Sequence, residues 1–541
     1  MKKNLAILVN YAILISTIIM LVFTLGKLFY MSANILSISI MHNAYNEVRD
    51  YAGFRLTHFI MDGINPYRPD VLQTEKVPFL YSYNAINSIV TAIICKFTGI
   101  NIIQSFYAEN ILIIILTVSI LWLIIRDFTK EKNLLIVLCI AINAATFFAL
   151  FGVPIFNFRS DSAGILISIL IFLIVYKNRK LTFVLSLLTV LLLLSKQFMV
   201  LLGCPLFIYY LIYREKRLAF RYFVGCVLFG ILAAFIIQWK FPLYWTETVL
   251  IQFLYNKSYG SFASAVDNIW HFYYRYFMNI VLILFGLISW FYYERKKEKR
   301  HSFRSIFGEL FKNNGFAVYL TLNLIIGTLV LFYLAKCDGD GYKYCQDLLA
   351  PSLFLLSVYI WSGLFGKKIV KSGMDRRTRN NFILIVLSLA GMINYSNFET
   401  IYYTKDDVKA LMDLNQDINT FRNGKIHLGI NSAQYLMNFD LWEENNIDFN
   451  DGHFDNIQNI QTENQIINEF FYTDIIYKSM QDYKNRVNQS VANKEYSLIT
   501  TSIENIMDLE LLNKNYYPYK TYGIKTEANG MVYDVTLWLP R

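Results

Sequence analysis

The stretch FLYSYNAINSIVTAIICKF, residues 79–97, decides how this chain is threaded. It is apolar and almost long enough to cross a bilayer, which takes about 20 residues. Its first half nevertheless carries Asn84, Asn87 and three hydroxyl residues. If it crosses, every later loop changes sides. Basic clusters arbitrate. They are Lys2-Lys3, Arg126 to Lys132, Lys177 to Lys180, Arg214 to Arg221, Arg295 to Lys312 and Lys367 to Arg379, and they hold 25 of the 50 Lys and Arg residues. The positive-inside rule puts all of them in the cytoplasm. A crossing at 79–97 would put the loop at Arg126, and each basic loop after it, outside. The stretch is therefore read as a helix at the outer interface, its polar face toward water.

Working outward, apolar runs mark spans at about 5–26, 107–125, 133–151, 162–176, 181–195, 198–213, 222–239, 278–293, 316–334, 347–364 and 381–396. The reading is a polytopic α-helical membrane protein of about 11 transmembrane helices. The N-terminus is cytoplasmic and a first outer loop covers about 27–106. The transmembrane domain ends at 396, and 397–541 form a small C-terminal extracytoplasmic α/β domain. Residues 5–25, too long for a signal peptide and followed by no small-residue cleavage site, are read as an uncleaved first span.

Composition agrees. Of 541 residues, 55% are hydrophobic and 17% charged, with mean hydropathy +0.37; a soluble domain carries about 25% charged residues. The net charge of +10 hides a split. Residues 1–396 carry 38 basic against 19 acidic side chains, and residues 397–541 carry 12 against 21. The excess base thus belongs to membrane loops, and no nucleic-acid partner is implied. In the tail, 425–430, 496–502 and 531–540 read as strands, and 405–422 and 456–488 as helices.

Cysteines are scattered, without metal spacing. Cys95, Cys139, Cys204 and Cys226 read as small hydrophobes. Cys337 and Cys345 share one polar loop and are either a disulfide or two free thiols.

Polar chemistry collects in the loops assigned to the outer side. In YNEVRDYAGFRLTHFIMDGINPYRPD (45–70), residues 45–62 have helical periodicity, stopped by Gly63 and Pro66. Glu47 and Asp50 stand at i and i+3, on one face with Tyr51, Phe54 and His58. Such a pair can accept a proton from an attacking hydroxyl and orient it or hold a divalent cation; equally, it can be a solvated helix face. Arg49 and Arg55 could hold phosphate or pair with these acids. Arg159 and Asp161 precede the next span, where Asp161 also suits a helix N-terminus. Ser195, Lys196 and Gln197 interrupt an apolar run; a lysine there is either functional or snorkels to the interface. The loop 337–347 adds Asp338, Asp340, Tyr342, Lys343 and Gln346. Glu109 is an intramembrane acid with no evident partner. Nucleotide-binding loops, GxSxG and HExxH are absent.

These features resemble the GT-C superfamily of membrane glycosyltransferases, especially the bacterial protein-mannosyltransferase and aminoarabinose-transferase-like group. The resemblance rests on the acidic first outer loop (Glu47, Arg49, Asp50, then Gly63 to Tyr67), the interfacial helix after it, Arg159-x-Asp161, and Lys196-Gln197. It covers the first ~240 residues in order, and more weakly Tyr342 to Pro351. The separated acids and Ala108-Glu109-Asn110 depart from the family pattern. The resemblance implies an inverting hexosyl- or pentosyltransferase in a bacterial plasma membrane. Its donor is a polyprenyl-phosphate sugar and its acceptor an envelope glycolipid, wall polymer or protein. Asp50, alternatively Glu47, would be the base. Arg159, Lys196 and Arg49 would hold the donor phosphate, and Asp161, Gln197, Tyr67, Tyr342 and Gln346 would contact substrate. Mg or Mn on Glu47, Asp50 and Asp161 is an optional cofactor.

Two rivals remain at this stage. A flippase of lipid-linked sugars would need charges deep in several spans. A non-catalytic wall-binding scaffold would point Glu47 and Asp50 at bulk water. Trp442, His453 and Tyr516 to Tyr519 are either acceptor-stacking rings or tail core.

Overall fold

The computed structural model describes residues 51–74, 77–79, 85–130, 133–147, 161–177, 180–250, 261–297, 314–336, 340–361, 404–432, 446–450, 471–502, 506–525 and 532–541. It adds the isolated positions 11, 15, 18, 19, 22, 26, 386, 435, 436, 441, 468 and 469. The first candidate span and that at 381–396 lie otherwise outside the described residues.

Three short helices, α1 (Tyr51–Met61), α2 (Pro69–Thr74) and α3 (Ile86–Thr98), precede the bundle. The bundle follows with α4 (Ile102–Thr129), α5 (Leu134–Phe147), α6 (Asp161–Tyr176), α7 (Thr182–Ser195), α8 (Gly203–Tyr213), α9 (Lys216–Lys240), α10 (Phe262–Arg275), α11 (Phe277–Lys297), α12 (Gly315–Leu334) and α13 (Asp340–Tyr359). Helix α1 stops where the sequence puts the stop, with Gly63 at φ +74°, a conformation that suits residues without Cβ. Among the described residues α4, α9 and α12 are each long and apolar enough to cross a membrane, and α10 with α11 forms a pair bent by 67°. Amphipathic α10 was not foreseen, because it lies outside the long apolar runs. Side chains such as Ile231, Phe235 and Ile288 are exposed at 64%, 65% and 65%. A solvent of lipid tails accounts for that surface. The chain is a helix-rich membrane protein.

Helix α3 corrects one expectation. Its polar residues Asn87, Ser88 and Thr91 are buried, while Ile89, Ile93 and Phe97 are exposed. The polar face turns inward, not to water. Ser88 Oγ donates to the Gly53 carbonyl (3.0 Å) and Thr91 Oγ1 to Glu109 Oε2 (2.5 Å). An apolar environment rewards this orientation, since buried polar groups find partners inside the protein and not in hydrocarbon. The same contact gives Glu109 the partner that the sequence did not reveal.

The tail contains α14 (Lys405–Phe421), β1 (Lys425–Leu428), β2 (Ile447–Phe449), α15 (Thr473–Ala492), β3 (Tyr496–Thr501), α16 (Leu509–Asn515), β4 (Tyr516–Lys525) and β5 (Val532–Pro540). The strands form one sheet in the order β2-β1-β3-β5-β4. The first three are parallel, while β5 is antiparallel to β3 and β4. Thr404 and Asp407 cap α14 reciprocally. Cys345 is a buried free thiol.

Two apolar cores result. One fills the bundle. The other joins Ala52, Leu56, Phe59, Tyr67 and Leu72 of the first loop to Leu243 and Tyr244 and to tail residues such as Ile426, Ile476 and Leu498. The tail thus does not close on itself; it packs on α1, α2 and residues 243–244.

Candidate functional site

The tail-bearing end of the bundle gathers several residues marked in the sequence. Lys196 leaves α7 in extended conformation, at the C-cap, and a 3-10 turn begins at Gln197. Its ammonium lies 3.1 Å from Asp347 Oδ2, and both side chains are nearly buried. The rings of Phe198 and Tyr344 flank it, with centroids 5.3 and 5.4 Å away. Burial removes water from a charge, so only a close counter-charge and π faces make the position tenable. Next to Asp347, the Gln346 side-chain nitrogen is buried with no hydrogen-bond partner among the described residues. Such an orphan donor costs about 1–3 kcal/mol until a ligand or water meets it.

Helix α6 approaches the same turn. A Cβ on Gly164 would sit 2.4 Å from Met199 Sδ and 3.2 Å from Ser195 Oγ, so α6 packs closely on this turn and a larger residue there would have to displace the Met199 side chain. Asp161 begins α6 one turn earlier; its side chain lies outside the described residues. Ser162 Oγ donates to Asn110 Oδ1 (3.4 Å). Glu109, beside Asn110, leads through Thr91 to α3, and Ser88 leads on to α1. A line of polar contacts therefore runs from the first loop to the head of α6.

Residues 241–250 form a hub that no motif announced. The Leu243 amide donates to the Tyr67 carbonyl (3.0 Å) and Asn65 Nδ2 to the Lys240 carbonyl (2.5 Å). Gln197 Nε2 donates to the Thr248 carbonyl. Thr246 Oγ1 donates to the Phe471 carbonyl of the tail (2.5 Å). Glu247, between them, is fully buried. Tyr67 itself is buried against Phe79, Phe241 and Tyr244, so its ring serves as core and not as an open contact surface.

Arg55 sits where the first loop meets the tail. It donates to the Val77 carbonyl at 2.6 Å, and its guanidinium stacks on Phe59, Phe79 and the tail's Phe449. His58 faces Asp62 at 3.3 Å. Glu47, Arg49, Asp50, Arg159, Trp442 and His453 lie outside the described residues, as does the side chain of Tyr342. Among the described residues no group of three His, Cys, Asp or Glu side chains could hold a metal ion. Tyr517 and Tyr519 are 40% and 51% exposed on β4, whereas Tyr516 is core.

No protein-family model matches the chain and no curated protein sequence matches it. Solved structures do. The apo crystal structure of ArnT from Cupriavidus metallidurans superposes with TM-score 0.51 at 11% identity, over 95% of this chain and 98% of that one.

The chain has the fold of ArnT.

A second ArnT crystal structure, bound to undecaprenyl phosphate, gives TM-score 0.49 at 10% identity over 96% and 97% of the two chains. The likeness to ArnT runs nearly end to end, so it includes the tail as well as the helices. The resemblance read from the first loop and the Lys196 turn is thus met at the level of fold. Asp347 was missed although its stretch was noted. The available signal was physical: a lysine buried in an apolar run demands a carboxylate.

Proposed function

We propose that this protein is an integral membrane glycosyltransferase that takes a sugar from a polyprenyl-phosphate donor. The observation that carries the reading is the ArnT-like fold over nearly the whole chain, ArnT being a protein that binds undecaprenyl phosphate. The buried lysine, glutamine and polar turn at the tail-bearing end support it.

In this reading Asp50, alternatively Glu47, accepts the proton of the acceptor hydroxyl. The oxygen attacks the anomeric carbon, the bond to the phosphate oxygen breaks, and configuration inverts. Arg159, Lys196 and Arg49 stabilise the departing polyprenyl phosphate as fixed positive charges. Lys196 has three donors, so it can keep Asp347 and still meet a phosphate oxygen. Asp161, Gln197, Tyr342 and Gln346 line the path. The reading includes eleven spans in a bacterial plasma membrane, the N-terminus in the cytoplasm, the domain 397–541 outside, and an envelope acceptor. A Mg or Mn ion on Glu47, Asp50 and Asp161 is separable from the rest: full activity after chelation removes it.

The test is sugar release from polyprenyl-phosphate donors by the purified full-length protein. A general base contributes roughly 10²–10⁴-fold, so a loss of that order is expected in Asp50→Asn or Glu47→Gln. Full activity in both variants would end this mechanism.

A further inference from the structure

The end of the bundle away from the tail holds a cavity of about 310 Å³. It opens where α6 and α8 end and where α7 and α9 begin; Val175, Tyr213 and Leu218 are among its walls. The Lys196 turn lies at the opposite ends of α6 and α7. Helix α6 alone has 16 residues, about 24 Å at 1.5 Å per residue. The cavity is therefore separate from the site described above.

Its walls are cationic and hydroxylic. Arg214 Nη2 donates to Tyr209 Oη (3.0 Å), and the guanidinium lies 5.7 Å from that ring. The Tyr209 ring stacks on Tyr213, with centroids 5.8 Å apart. Lys180 Nζ meets Glu215 Oε1 at 3.0 Å. Tyr210 is 4% exposed, and its hydroxyl makes no hydrogen bond among the described residues. A donor held in a protein wall without a partner is one that a ligand can satisfy. Glu215 is the N-cap of the 25-residue α9 and makes no side-chain cap bond, so the positive end of that helix borders the cavity. Lys216, Arg217 and Arg221 follow on its exposed surface.

We propose that this cavity binds a phosphate group, either the headgroup of an anionic glycerophospholipid or free phosphate. Arg214 supplies a planar pair of donors, Tyr210 a hydroxyl, and Lys180 a charge shared with Glu215. A basic pocket between spans, on the side bearing the basic loops, suits a lipid headgroup. Exposed apolar side chains beside it, Leu211, Ile212, Phe220 and Phe223, offer acyl chains a surface.

The experiment measures binding of phosphatidylglycerol, uncharged diacylglycerol and inorganic phosphate to the full-length protein in neutral detergent. Phosphatidylglycerol or phosphate should bind the wild type. Affinity should fall about tenfold or more in Arg214→Gln and about three- to tenfold in Tyr210→Phe. Tyr210→Phe removes no native hydrogen bond, so it reports on the site even where Arg214→Gln folds poorly. Phosphatidylglycerol binding that millimolar phosphate does not displace assigns a lipid site, whereas binding and displacement by phosphate alone assigns a free-phosphate site. Equal affinity of the wild type and Tyr210→Phe, equal binding of diacylglycerol, or no binding of either phosphate compound overturns the proposal.

Discussion

Lys196 Nζ lies 3.1 Å from Asp347 Oδ2, joining the turn after α7 to α13 across 151 residues of sequence. Removing one member takes this counter-charge from the other in a nearly dry place. Asp347→Asn or Lys196→Met should each destabilise the protein by about 3–5 kcal/mol, and the double variant Lys196→Met, Asp347→Leu should recover most of that loss. Thermal melts in detergent check this. In the proposed reaction Lys196 also faces the phosphate, so the double variant should melt normally and still lack transferase activity.

Arg55 ties the first loop to the tail through two loop carbonyls and the Phe449 ring. Arg55→Met should cost about 2–4 kcal/mol, since a charged hydrogen bond and a desolvated cation–π contact go together. Arg55→Lys should recover only part, because an ammonium lacks the planar fork. Limited proteolysis of the tail, faster in Arg55→Met, is the direct readout.

Helix α3 presents Ile93 and Phe97 outward and Asn87 inward. Single cysteines at 93 and 97 should react with lipid-dissolved maleimides, and a cysteine at 87 should stay protected. Protection at 93 with labelling at 87 would restore the opposite orientation.

Glu495 in the tail accepts hydrogen bonds from Asn493, Ser490 and Lys425, which hold its carboxyl at about 2, below the ordinary 4.5. A depressed carboxyl stabilises the fold above its unfolded pKa, and that contribution is lost as pH falls through the folded one. Tail stability from this group should therefore be flat from neutral pH down to about 4.5 and decline from there toward 2. Melting of Glu495→Gln should be lower than wild type at pH 7, with the difference vanishing near pH 2. Because the side chain is 42% exposed, solvent screening keeps the effect small.

The sequence by itself located most helices from apolar runs, as with 107–125 inside Ile102–Thr129, and three strands from alternation. It also placed Gly63 at a helix stop and singled out the lysine turn at 196. Those signals are local: a period of 3.6 or 2, a cap or a run length is written in neighbouring residues. Only the tertiary structure decided that Asp347 answers Lys196, that Glu109 is met by Thr91, and that α3 hides its polar face. It alone showed residues 241–250 linking the first loop, the Gln197 turn and the tail. Each of these depends on which surfaces meet after the helices pack, and on whether the surrounding medium is lipid or protein. A one-dimensional pattern records that a polar group is present, not the distant group that balances its desolvation.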